Sequence, residues 1–133
     1  MATSTREILV EGERISKIAE KIEAPEGCEI IDAEGKYVGP GFVDIHVHGG
    51  NGHMFDTEPL QAAEHFLKNG ETTQLATLYY NLSKEGFLDS IKKVQAAMAA
   101  GGAGDAIAGI YMEGPYINPG YGSMSNQKGV NVP

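Results

Sequence analysis

The stretch Gly39–Gly50, GPGFVDIHVHGG, limits what this chain can fold into more than any other. A Pro-Gly turn opens a short apolar run, and two glycines close it. Between them period-two alternation sets Phe42, Asp44, His46 and His48 on one face of a strand and Val43, Ile45 and Val47 on the other. Two imidazoles about 7 Å apart along one strand face can share a divalent cation, because neutral imidazole is a good ligand for zinc and its neighbours. The glycines are expected to end the strand and open a loop above the metal.

The 133 residues suit one domain of moderate core size, and the formal net charge of −8 argues against nucleic acid or an anionic membrane as a main partner. A single cysteine, Cys28, forms no internal disulfide and has no neighbouring ligands, so it reads as a small apolar residue. The start of the chain lacks the pattern of a signal peptide, and no apolar run approaches the roughly 18 residues that cross a bilayer. The expected location is the cytoplasm.

Residues 6 to 37 are expected to form short β-structure. Strands are read over Glu7–Val10, Arg14–Ile18 and Glu29–Ala33, with turns at Glu11-Gly12-Glu13 and Glu34-Gly35-Lys36 before Tyr37-Val38. Such strands are marginal alone and call for a partner sheet. After the histidine strand the period changes to 3.6. Asp56-Thr57-Glu58-Pro59 reads as a helix start with a capping side chain and an acid in the first turn. Leu60, Ala63, Phe66 and Leu67 are its apolar stripe and Gly70 its end. Thr72–Leu78 is the next strand. Ser83 caps a longer helix with Phe87, Ile91, Val94 and Met98 in its stripe, stopped by Gly101-Gly102, and Ala106–Met112 is a third buried strand ending at Glu113-Gly114-Pro115.

Strand, helix, strand, helix, strand in this order predicts parallel crossovers, with His46, His48 and Glu113 at the carboxyl ends of the strands, where α/β folds place their sites. A bare three-stranded parallel sheet leaves one face and both edges uncovered, so the chain reads as the front part of a larger barrel. Other features have plainer readings. His53 is a loop or substrate-contact residue, His65 is structural, and Tyr79-Tyr80 and Phe87 are core or rim aromatics. Gly102-Ala103-Gly104 is a helix stop, since Ile107 stands where a phosphate-binding loop needs its third glycine.

EILVEGERISKI, IIDAEGKYVGPGFVDIHVHGGNG and YMEGPYINP together resemble the amidohydrolase superfamily and, within it, the N-acetylglucosamine-6-phosphate deacetylases. The resemblance spans nearly the whole chain. It implies an α/β architecture: residues 39–133 as the first three strands and two helices of a metal-dependent-hydrolase (β/α)₈ barrel, and residues 1–38 as short strands of a small β-sandwich. It implies His46, His48 and Glu113 as ligands of one or two divalent ions, zinc being expected, with Asp44 as an acceptor for an imidazole N–H. Gly122 and Ser123 are the implied sugar contacts, in a loop that also aligns on Lys128-Gly129-Val130. Met54 departs from the family, which commonly has an acidic residue there.

The resemblance further implies hydrolysis of N-acetylglucosamine 6-phosphate to glucosamine 6-phosphate and acetate, in amino-sugar catabolism. Two more histidine ligands and the general-base aspartate come from later strands in that family, so no catalytic base is expected in this chain and little turnover from it alone. An amino-sugar phosphate substrate and a homo-oligomer or complementing chain are the partners implied. Two alternatives stand beside this: a non-catalytic module associating through its open sheet, and another amidohydrolase of dihydroorotase-like or deaminase-like type, which commonly uses a carboxylated lysine or histidine where Glu113 lies.

Overall fold

The computed structural model describes residues 5–118 and 120. They fall into two compact units that divide between Gly39 and Pro40.

The first unit holds one antiparallel hairpin, β1 (Glu7–Glu11) with β2 (Arg14–Ala19), turning at Gly12 with φ +60. Arg6 and Glu20 form an ion pair of 2.7 Å beside its open end. The strand expected over Glu29–Ala33 is not there. The turn expected at Glu34-Gly35-Lys36 is: Asp32 Oδ1 accepts the Glu34 N–H, the Lys36 N–H donates to the Ala33 carbonyl, and Glu34 and Gly35 both have positive φ. What fails is the ladder. Ile30 and Ile31 remain 76% and 83% exposed, and an extended segment with no hydrogen-bonding neighbour is not a strand.

The second unit carries a parallel sheet of order β3-β6-β7: Phe42–Val47, Glu71–Leu78 and Ile107–Met112. Between β3 and β6 lie a two-rung hairpin, β4 (Gly49–Gly50) with β5 (His53–Met54), and helix α1 (Pro59–Lys68). Helix α2 (Lys84–Ala99) and a 3₁₀ turn over Gly102–Ala106 connect β6 to β7. The expected order of strands and helices is therefore observed, as an α/β unit with a parallel sheet. Its core joins Phe55, Ala62, Ala63, Ala76, Leu78, Phe87, Val94, Ala97 and Ile107, so both helices bury their small or apolar residues against β6 and each other.

Helix α1 differs from the expected one in two respects. Glu58 occupies the cap position without capping, because its carboxylate is 3.0 Å from His53 Nδ1. The first turn holds no acid, and Pro59 starts the helix. The buried face is also rotated: Pro59, Ala62 and Ala63 lie inside, whereas Leu60 and Leu67 are 38% and 37% exposed. That face packs against β6 and the glycine hairpin, where a Cβ at Gly50 would stand 2.8 Å from Phe66 Cζ. In α2 the expected Ser83 cap is present, its Oγ accepting the Gly86 N–H at 3.1 Å. Ser90 and Ala97 join Phe87 and Val94 inside, while Met98 faces out. Ser90 Oγ donates to the Asp56 carbonyl at 3.0 Å and fastens α2 to the entry of α1.

Candidate metal centre

Three parallel strands end on one edge, and each delivers one part of the site. Strand β3 brings His46 and, one residue past its end, His48; Glu113 follows directly after β7. Strand β3 is not evenly paired: its register against β6 shifts between Asp44 and Val47. Strict alternation is broken there, and Phe42, Val43 and Ile45 are all exposed while Val47 packs on the core. The two imidazoles meet edge to face, with ring centroids 5.2 Å apart.

Backbone contacts hold this arrangement. The Phe55 N–H donates to the His48 carbonyl at 2.8 Å, tying that histidine to a fully buried side chain, and the Glu113 N–H donates to the Leu78 carbonyl at 3.1 Å. The glycines after His48 form the tight hairpin β4–β5 where a loop was expected. Gly49 is required there, since a Cβ would stand 2.2 Å from the His53 carbonyl oxygen. Asp44 Oδ1 accepts the backbone N–H of His46 at 2.9 Å, so the hydrogen bond shown is to backbone where an imidazole partner was expected.

Glu113 Oε2 is 3.2 Å from His48 Nε2, and Oε1 is 4.0 Å from His46 Nε2. Among the described residues Oε2 is buried without a hydrogen-bond partner, and so is His48 Nδ1. One ligand atom from each of the three residues lies within 4.8 Å of the others. Ligands about 2.1 Å from a tetrahedral ion stand about 3.4 Å from each other, so the three side chains would supply three of the four ligands such an ion takes. Two imidazoles and a carboxylate with an unpartnered buried oxygen suit a divalent ion of the zinc type.

Two tyrosines complete the edge. The Tyr79 ring lies 4.8 Å from that of His48, and the Tyr111 ring 5.0 Å from that of His46. The reading of Tyr79 as a rim aromatic gave it no part in the site, and Tyr111 was overlooked. The signal was available, because Tyr111 and Glu113 repeat on their strand the spacing of His46 and His48, and side chains two apart share a face. Below the site, burial and the Asp44 carboxylate push the Glu71 carboxyl above its usual range, with His65 acting the other way.

The remaining expected residues stand elsewhere. His53 pairs with Glu58, His65 rests edge-on to Phe66, and Met54 is partly exposed on β5. Gly122, Ser123 and Lys128-Gly129-Val130 lie outside the described residues. No helix among the described residues is long and apolar enough to cross a membrane.

No family model matches the sequence. Among curated proteins it is 55% identical over 42 residues to dihydroorotase of Staphylococcus aureus (strain Mu50 / ATCC 700699), covering 32% of this chain and 10% of that protein. The dihydroorotase of Sulfurihydrogenibium sp. (strain YO3AOP1) matches at the same identity, length and coverage. Among solved structures, N-acetylglucosamine-6-phosphate deacetylase from Pasteurella multocida superposes with a TM-score of 0.69 at 26% identity. It covers 87% of this chain and 31% of its own. The chain thus spans about a tenth of those dihydroorotases and under a third of the deacetylase. Its resemblance is to the amidohydrolase superfamily, by fold to N-acetylglucosamine-6-phosphate deacetylase and over a shorter stretch of sequence to dihydroorotase.

Proposed function

We propose that this chain supplies the first metal-binding strand and the ligand glutamate of a metal-dependent amide hydrolase built on a (β/α)₈ barrel. The reaction best supported is deacetylation of N-acetylglucosamine 6-phosphate to glucosamine 6-phosphate and acetate. The observation that carries the reading is the convergence of His46, His48 and Glu113, one ligand atom from each lying within 4.8 Å of the others. His46, His48 and Glu113 would hold the ion, zinc in this reading. Such an ion supplies Lewis acidity toward the acyl carbonyl and lowers the pKa of water near it. The chain's own residues hold the three ligands on one sheet edge and keep Glu113 oriented through its backbone bond to Leu78. Protonation of the leaving amine falls to an aspartate that the resemblance assigns to a later strand.

Dihydroorotase-type ring opening is the second reading, and the 55% identity over 42 residues favours it. A glutamate in place of a carboxylated lysine weighs for the deacetylase. The partner in either case is a second copy or a complementing chain set against the exposed apolar residues Phe42, Val43 and Ile45 of β3. The test is acetate release from N-acetylglucosamine 6-phosphate against ring opening of dihydroorotate, with zinc. Both are assayed with the 133-residue chain alone and with a chain supplying the later histidines and aspartate. Acetate release that requires the second chain is the expected result; ring opening in its place overturns the substrate assignment. Turnover at ordinary enzyme rates by the 133 residues alone refutes the need for a partner.

A further inference from the structure

We propose that Tyr79 and Tyr111 are positioning residues whose ring contacts set the orientations of His48 and His46 for metal binding. The proposal rests on the metal reading above. Ligand histidines as a rule donate their second ring N–H to a carboxylate, a carbonyl or a water, which fixes tautomer and ring plane. Among the described residues no group is hydrogen-bonded to the buried His48 Nδ1, and the contacts shown around this ring are with other rings. The hydrogen bond shown for Asp44 on the same strand is the one its Oδ1 accepts from the His46 backbone.

What holds the His48 ring is packing from both sides. Tyr79 meets it at 4.8 Å with planes at 71°, and His46 at 5.2 Å and 75°. Tyr111 closes the row on the far side of His46 at 5.0 Å and 46°. Tyr79 is itself braced, with its ring 4.3 Å from that of the buried Tyr80 and its hydroxyl donating to the Tyr80 hydroxyl at 3.4 Å. Five rings therefore run in sequence along the carboxyl edge of the sheet: Tyr80, Tyr79, His48, His46, Tyr111. Their neighbours on either side restrict rotation of both imidazoles about the Cβ–Cγ bond. Edge-to-face ring contacts of this kind stabilise one orientation over others.

The experiment is a cobalt(II) titration of the 133-residue chain followed by visible absorption, with the melting temperature of each metal-free variant measured alongside. Tyr79→Leu and Tyr111→Leu are expected to weaken cobalt binding about three- to tenfold each and to alter the absorption bands. Tyr79→Phe and Tyr111→Phe, which keep the rings, are expected to restore the parent affinity and spectrum. Leucine variants that titrate like the parent, or that melt lower while keeping its cobalt spectrum, overturn the proposal and leave the metal reading standing. Phenylalanine variants as weak as the leucine ones also overturn it, since the hydroxyls would then be the active feature. If His46→Ala/His48→Ala leaves the parent's cobalt spectrum unchanged, the metal reading itself falls and this proposal with it.

Discussion

Glu113 Oε2 and His48 Nε2 stand 3.2 Å apart across the carboxyl edge of the sheet, brought there from strands separated by β6. Neither the glutamate nor the histidine is near the other in sequence, and only the parallel stacking of β3, β6 and β7 unites them. Glu113→Gln keeps size and shape but removes the anion. It is expected to weaken cobalt or zinc binding by at least about 100-fold, more than the loss of an outer partner causes. The metal-free chain should melt within about 2 °C of the parent, a shift worth under 1 kcal/mol in a domain of this size. Isothermal titration with a melting curve on the same sample checks both halves.

Asp44 acts on the site from below by holding the His46 backbone. Asp44→Ala removes that acceptor from a partly covered N–H and is expected to cost about 1 kcal/mol in urea unfolding. Asp44→Asn retains an acceptor oxygen and relieves the repulsion toward Glu71, so it is expected to unfold at or above the parent's midpoint. Equal destabilisation by both changes would refute the backbone-holding role.

The raised carboxyl of Glu71 gives stability a sign with pH. Its folded form holds the proton more tightly than its unfolded form, so the penalty is absent below the unfolded pKa and grows as pH rises through the folded one. Glu71→Gln should therefore melt higher than the parent at pH 7 and equally near pH 3.5. The group is far from fully enclosed and solvent screens it, so a gain of about 1–2 °C is the expected scale. Melting curves across that pH range decide it, and a gain at pH 3.5 as large as at pH 7 would show that the carboxylate charge is not the cause.

The parts legible in sequence were those with strong local signals. The His-x-His strand, the Ser83 cap and the order of strands and helices all rest on period, capping chemistry and glycine stops. Three features were set by neighbours far along the chain. The face that α1 buries is set by its packing against β6 and the β4–β5 hairpin. Glu29–Ala33 has strand composition, but no partner ladders with it. The part of Tyr79 and Tyr111 in the site arises from the register of β6 and β7 against β3. The helix start expected over Asp56-Thr57-Glu58-Pro59 is present, but Glu58 at its cap position pairs with His53 and caps nothing.

Close backbone approach makes the sharpest stability prediction, at the turn that leads into β7. Gly104 sits under the end of α2, where a Cβ would stand 1.9 Å from the Ala97 carbonyl oxygen and 2.8 Å from its carbon. Both atoms are backbone and within the last turn of a helix, so neither can step aside as a side chain would. Gly104→Ala is expected to cost about 2–3 kcal/mol, the range of overpacked cores, with part of the loss appearing as fraying of α2. Gly102, two residues earlier, supplies the control: its φ of +62 is unfavourable to alanine, but nothing lies within 4 Å of a Cβ there. Gly102→Ala should therefore cost only about 1 kcal/mol, the strain of a left-handed backbone alone. Urea unfolding of the two variants separates contact from conformation. Equal losses would mean that the 3₁₀ turn moves off α2 freely and that β7, with Glu113 at its end, is held by the sheet alone.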